Sequence, residues 1–131
     1  MRITHFEEIE AWKVARQLTN SAYDATDGLL FDRDTALRRQ IRTAATSIMA
    51  NIAEGFDASS HAEFARFLRI SRRSATELQS HLYVAIDRRY IEQKQFDRIY
   101  KDTNRVKRLL GGFLRYLKNP KPGSPNVERR T

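Results

Sequence analysis

Ser47-Ile48-Met49-Ala50-Asn51-Ile52-Ala53-Glu54-Gly55 is the stretch whose reading decides the fold. Residues three and four apart share a helix face, so Ile48 and Ile52 point to one side and Ser47, Asn51 and Glu54 form a polar row beside them. Ala44, Ala45, Ala50 and Ala53 are small enough to let another helix come close, and Gly55 can take the φ > 0 geometry that ends a helix. The run reads as the tightly packed end of a helix. Its polar row has two readings: a recognition site on the surface, or a structural row in which Asn51 and Glu54 hydrogen-bond across a helix or subunit contact and cap donors near Ser59 and Ser60. The structural reading is the simpler one, because helix ends leave backbone groups to satisfy.

Working outward, three more segments show the same period. The first spans Phe6 to Thr26, with Thr4 and Glu7 at capping-box spacing and Ile9, Trp12, Ala15, Leu18, Ala22 and Ala25 inward. A loop containing Asp27-Gly28 and Asp32-Arg33-Asp34 leads to the second, which Asp34 caps and Gly55 ends. Ser60 and Glu63 repeat the capping-box pattern and open a third segment reaching Arg89, with Phe64, Phe67, Leu68, Leu78, Leu82 and Ile86 inward. The fourth, Glu92 to Leu117, buries Phe96, Ile99, Val106, Leu110, Phe113 and Leu117, and its Gly111-Gly112 pair predicts a local bend or a close helix contact. Four long amphipathic helices with short connections predict an all-α protein, an antiparallel up-and-down four-helix bundle over residues 1–118. Pro120, Pro122, Gly123 and Pro125 end regular structure, so 119–131 reads as a flexible basic tail.

The formal charge is +8, and it is unevenly spread. Residues 1–59 carry seven basic and nine acidic side chains, a net of −2, whereas 60–131 carry seventeen and seven, a net of +10. On the third helix Arg66, Arg69, Arg72 and Arg73 lie opposite the apolar stripe; on the fourth, Lys94, Arg98, Lys101, Arg105, Arg108 and Arg115 fall within one arc. Such ridges often only keep a surface solvated. Two of them in one half of the chain, with few carboxylates between, point instead to a polyanion, because like charges repel until something offsets them. The aromatic residues sit mostly at core-periodic positions, Tyr83 and Tyr116 being the possible exceptions, so contact would be with phosphates and shape and carry little sequence preference.

Other classes find little support. With no cysteine, disulfides and cysteine metal sites are excluded. No apolar run reaches the ~20 residues that span a bilayer, and Glu7, Glu8 and Glu10 occupy the place of a signal peptide's apolar stretch, so a cytoplasmic protein is expected. His5, His61 and His81 neither follow an arginine at the four-to-six-residue spacing of an all-helical RNase nor form the Glu-x-x-His pairs of a di-metal bundle. There is no Gly-rich phosphate loop and no nucleophile elbow. A non-enzyme without cofactor or metal is the expectation.

Together with Gln40-Ile41-Arg42-Thr43-Ala44-Ala45 upstream, the opening stretch closely resembles the signature of the bacterial four-helix-bundle family named for proteins encoded in 23S rRNA intervening sequences. The resemblance continues through Glu63-Phe64-Ala65-Arg66-Phe67-Leu68-Arg69-Ile70-Ser71-Arg72, Ser74, Glu77-Leu78 and Leu82. With Phe6-Glu7-Glu8-Ile9-Glu10-Ala11-Trp12-Lys13-Val14-Ala15 it covers roughly residues 5 to 92. Met49 stands where the family usually has proline and Arg73 where it often has glycine, so the kink and the close backbone contact implied there are not carried over. Such proteins are similar to accessory proteins of diversity-generating retroelements, and the resemblance implies a ring-shaped homopentamer that binds nucleic acid and a reverse transcriptase. Val14, Tyr23, Met49 and Phe56, off the core arc, are the surplus apolar surface a ring would bury. The resulting expectation is a nucleic-acid-binding bundle; the alternative is a module whose partner is a protein, such as a reverse transcriptase.

Overall fold

The chain's helix-starting signals act where side chains reach back to orphan backbone donors, and the structure, a computed structural model, describes residues 2–119 and 126–127. Asp34 accepts from the Leu37 amide at 3.1 Å and starts the helix Thr35–Phe56. Ser60 accepts from the Glu63 amide at 3.1 Å and starts His61–Asp87. Gln95 accepts from the Glu92 amide at 2.9 Å at the head of Gln93–Lys118. With Glu10–Ala25 these are α1 to α4 in chain order. α2 runs unbroken through Met49 and α3 through Arg73, where the family pattern has its proline and glycine.

The N-terminal start differs from the Thr4–Glu7 box. Glu8, not Glu7, turns back: its carboxylate accepts from the Thr4 amide at 2.8 Å and the His5 amide at 3.4 Å, bonds that hold its pKa below the usual carboxylate range. This tightens Phe6–Glu8 into a 3₁₀ turn, and extended Ile9 separates it from α1. A second 3₁₀ turn, Leu29–Arg33, replaces the plain loop. Its Phe31 is fully buried and packs on Tyr90 with ring centroids 5.0 Å apart, joining the α1–α2 and α3–α4 connections. Arg38 and Arg42 fasten the end of α1: Arg38 Nε donates to the Thr26 carbonyl at 2.8 Å and Arg42 Nε to Thr26 Oγ1 at 2.9 Å. Cations at a helix C-terminus also complement its dipole.

The helices pack α1 on α2, α2 on α3, α3 on α4 and α4 on α1, closing a four-sided core. Leu18, Ile48, Ile52, Leu68, Leu78 and Leu110 are fully buried at its centre. Each such side chain contributes about 1.5–3 kcal/mol relative to exposure. Val14 and Phe56 belong to this core as well, and Met49 packs against it. They are therefore not the outward surplus expected above, because α1 and α2 each contact two neighbours and so bury a wider arc than one stripe. Of that set only Tyr23 stays exposed. Among the described residues the other large apolar side chains left in solvent are Leu29, Leu30, Tyr83 and Val84.

Two glycine expectations are also corrected. Gly55 does not end α2 in the left-handed region; it lies inside the helix, where an added Cβ would sit 2.8 Å from both Phe64 Cδ1 and Phe67 Cβ. Its role is close approach. At Gly111 and Gly112 the close helix contact is not found: within 4 Å a Cβ would meet only the Arg115 guanidinium, at 3.6 and 3.7 Å, and α4 continues through the pair to Lys118. The tail 119–131 falls outside the described residues apart from Asn119 and Asn126–Val127, the latter paired in parallel with Arg2–Ile3.

Candidate nucleic-acid interface

α3 presents Arg69 and Arg72 one turn apart, and the last two turns of α4 present Arg115 and Lys118, because three-residue steps keep side chains on one face. Where these faces meet, the helices leave an open groove of about 580 Å³ floored by Ala62, Ala65, Gly111 and Leu114, with His61 at its edge. Four cationic side chains line it and no carboxylate does. None of the four has an ion-pair partner among the described residues. Small residues at Ala62, Ala65 and Gly111 leave the floor unfilled, and missing side chains at Gly111 and Gly112 let the Arg115 guanidinium lie along its own helix.

Of the basic residues singled out in the sequence, then, the structure brings Arg69, Arg72 and Arg115 together and adds Lys118. The rest are exposed but do not converge there. Arg66 is held by Glu63, with Nη2 and Nε to Oε1 at 2.6 and 2.9 Å, while its guanidinium lies 4.7 Å over Phe67. That hydrogen bond lowers the Glu63 pKa and raises that of Arg66. It also takes Glu63 away from the Ser60 amide, so the cap at α3 is one-sided. Arg105 reaches Glu10 of α1 at 3.5 Å. Arg73, Arg98, Lys101 and Arg108 stand on the outer faces of α3 and α4.

The polar row divides. Ser47 Oγ meets Ser74 Oγ at 2.8 Å across α2 and α3, and Asn51 Nδ2 donates to the Ser47 carbonyl at 2.8 Å and to its Oγ at 3.0 Å. Beneath them buried Ser71 donates to the Ile48 carbonyl at 2.8 Å. Ser47 is thus part of an interhelical seam, as is Gly55, whereas Asn51 bonds among the described residues to Ser47 of its own helix and does not reach across the helix contact as expected. Glu54 is exposed and has no hydrogen-bond partner among the described residues, so it caps nothing near Ser59 or Ser60. Sequence reasoning also passed over Gln79, buried between α3 and α4, which donates to Asn104 Oδ1 at 2.8 Å and accepts from Lys107 Nζ at 3.1 Å. A lone glutamine on a helix face gives no period to detect.

Among the described residues no group of three His, Cys, Asp or Glu is placed to hold a metal, and no helix is long and apolar enough to cross a membrane. The described arrangement offers cations, a few hydroxyls and amides, and an open groove. That is the chemistry of binding an anion.

Comparison with known proteins agrees with the fold. A crystal structure of a protein of unknown function from the S23 ribosomal protein family of Bacteroides thetaiotaomicron VPI-5482 is similar, with a TM-score of 0.68 and 27% identity over 79% of this chain and 94% of that one. No curated protein matches. The family model for 23S rRNA-intervening sequence proteins matches residues 7–112, most of the chain, through all of α1, α2 and α3 and most of α4. The chain belongs to the 23S rRNA-intervening sequence protein family.

Proposed function

We propose that this chain is a non-catalytic bundle that binds nucleic acid, RNA or DNA, by phosphate contacts along the α3–α4 groove, with little sequence selectivity. The observation that carries the reading is the convergence of Arg69, Arg72, Arg115 and Lys118 on one groove without a carboxylate. Guanidinium groups pair with phosphate oxygens in a planar fork, and their charge releases condensed counterions from the polyanion. Arg73, Arg98, Lys101 and Arg108 extend the field around the groove and steer approach, whereas Arg66 and Arg105 contribute less because Glu63 and Glu10 share their charge. Replacing Arg69 and Arg72 by glutamate tests this. Retention on a polynucleotide column should be lost with helical content unchanged; retention equal to that of the parent would overturn the proposal.

The helices are further proposed to run antiparallel. Bonded partners support this by descending on one helix as they ascend on the next: Ser47 with Ser74 and Ile48 with Ser71, or Gly55 beside Phe64. The ring-shaped homopentamer is kept as a proposal resting on family likeness. A cytoplasmic setting belongs to the same reading.

A second reading, a module that docks on a protein such as a reverse transcriptase, is favoured by one observation: Leu29 is 85% and Leu30 50% exposed on the α1–α2 connection. Adjacent exposed leucines suit a protein contact. A pull-down from nuclease-treated lysate separates the readings, since an RNA-bridged partner is lost and a direct one kept.

A further inference from the structure

On the opposite pair of helices, in the half of the chain with net charge −2, lies a second basic depression of about 310 Å³. Arg38, Arg39 and Arg42 line it with the ring of Tyr23 and the hydroxyl-bearing Thr35 and Thr43, and no carboxylate does. The three arginines are not equivalent. Arg38 is committed to the fold, reaching the Thr26 carbonyl at 2.8 Å and Asp32 at 2.8 Å. Arg42 is fixed by Thr26 Oγ1 and by the Tyr23 carbonyl at 3.3 Å, so its guanidinium is held 4.4 Å over the Tyr23 ring. Asp27, at 4.0 Å, is a loose and well-exposed partner for it. Arg39, one step along α2, is exposed and has no partner among the described residues.

We infer that this depression is a subsite for one nucleotide of a single strand, its phosphate between Arg39 and Arg42 and its base against Tyr23. The inference rests on the nucleic-acid reading above but on different residues. Two features carry it. The fixed Arg42 is preorganised, so binding an anion orders little that is not ordered already, and Arg39 supplies a second, unneutralised charge. Tyr23 is 41% exposed, with Arg42 over one face of its ring, and among the described residues it is the only Phe, Tyr or Trp lining either depression, so the rest of its ring offers a broader stacking surface than the His61 imidazole at the edge of the α3–α4 groove. A base in a duplex has both faces occupied and cannot use that ring. The subsite therefore confers a preference for single strands that phosphate contacts alone do not.

The test titrates the full chain with a single-stranded adenosine pentanucleotide and, separately, with inorganic tripolyphosphate. Three variants are compared: Tyr23→Leu, Tyr23→Phe and Arg39→Ala. A groove-neutralised variant (R69A with R72A and R115A) serves as a second background. Tyr23→Leu should weaken the pentanucleotide about tenfold, the scale of one lost stack, and leave tripolyphosphate unchanged. Tyr23→Phe should bind as the parent does, and Arg39→Ala should weaken both ligands. If Tyr23→Leu binds the pentanucleotide as tightly as the parent, the subsite is refuted. So it is if the groove-neutralised background loses all binding, a result that would leave the groove proposal standing. Loss of binding in Tyr23→Leu with none in the groove variant would sink the groove and keep the subsite.

Discussion

At one end of the bundle α3 meets two neighbours in opposite ways. Toward α2 it closes completely: Gly55 admits Phe64 and Phe67 to within 2.8 Å of where a Cβ would stand, and Ser71 and Ser74 bond straight across. Toward α4, over residues 61–72, it leaves a groove lined by Arg69, Arg72, Arg115 and Lys118. The same stretch of helix is a sealed seam on one side and an open cationic trough on the other. The difference lies in the facing residues. Small side chains with a satisfied polar bond let backbones approach, while several like charges that cannot be desolvated together keep a face open to water.

The sharpest way to break the seam is Gly55→Ala. The added methyl meets an aromatic ring and a Cβ, neither at the end of a flexible chain, so the helices must separate. A loss of about 1–3 kcal/mol is expected, the usual scale of overpacking, read as a lower urea midpoint. The groove should respond oppositely. Gly111→Ala adds a Cβ at ordinary contact distance, 3.6 Å, from a mobile guanidinium. It should stabilise α4 by up to about 1 kcal/mol through helix propensity, with a raised midpoint in the same titration. Equal signs for the two glycines would mean that seam and groove are packed alike.

How much of this was legible in the sequence follows from what periodicity encodes. It reports which side of a helix is apolar, so the four helices and the caps at Asp34 and Ser60 could be read directly. It is silent on short elements: Leu29–Arg33 makes too few turns to repeat, and buried Phe31 went unnoticed. It also cannot say which faces of different helices converge. Arg69 and Arg115 are far apart in sequence and meet only through the crossing of α3 and α4, so two ridges were visible but their common groove was not. A third loss is conformational. Arg89 ends α3 with φ 60°, its amide bonded to the Ile86 carbonyl and that of Tyr90 to the Ala85 carbonyl. Glycine usually marks that left-handed cap, and arginine hides it.

That cap yields a smaller prediction. Left-handed geometry costs a residue with a Cβ about 1 kcal/mol, so Arg89→Gly should stabilise the chain by somewhat less, once the added freedom of the unfolded state is counted. Thermal unfolding checks it; a lower midpoint would contradict the cap.

The smallest effect expected is at Glu63 and Arg66, on the α3 surface near both seam and groove. The hydrogen bond from Arg66 depresses the Glu63 pKa below its ordinary 4.5. Its contribution is therefore complete above that value and disappears as pH falls through the lower folded-state pKa. Both groups are exposed, so solvent screening keeps the contribution slight. Glu63→Gln should lower the unfolding midpoint a little at pH 7, and the difference should shrink steadily as pH falls below 4.5. A difference that did not change with pH would show that packing, not charge, links this pair to the helix.

The claim that the groove is where this protein meets a polyanion is tested most directly by the salt dependence of binding. Affinity for one duplex DNA would be measured over a range of salt for the parent and for the variant with alanine at positions 69, 72 and 115. Each lost phosphate contact removes ~0.9 from the slope of log affinity against log salt, so the account predicts a slope shallower by about 2–3 units, with weaker binding at low salt and unchanged helical content. Coincident lines for the two proteins would contradict it.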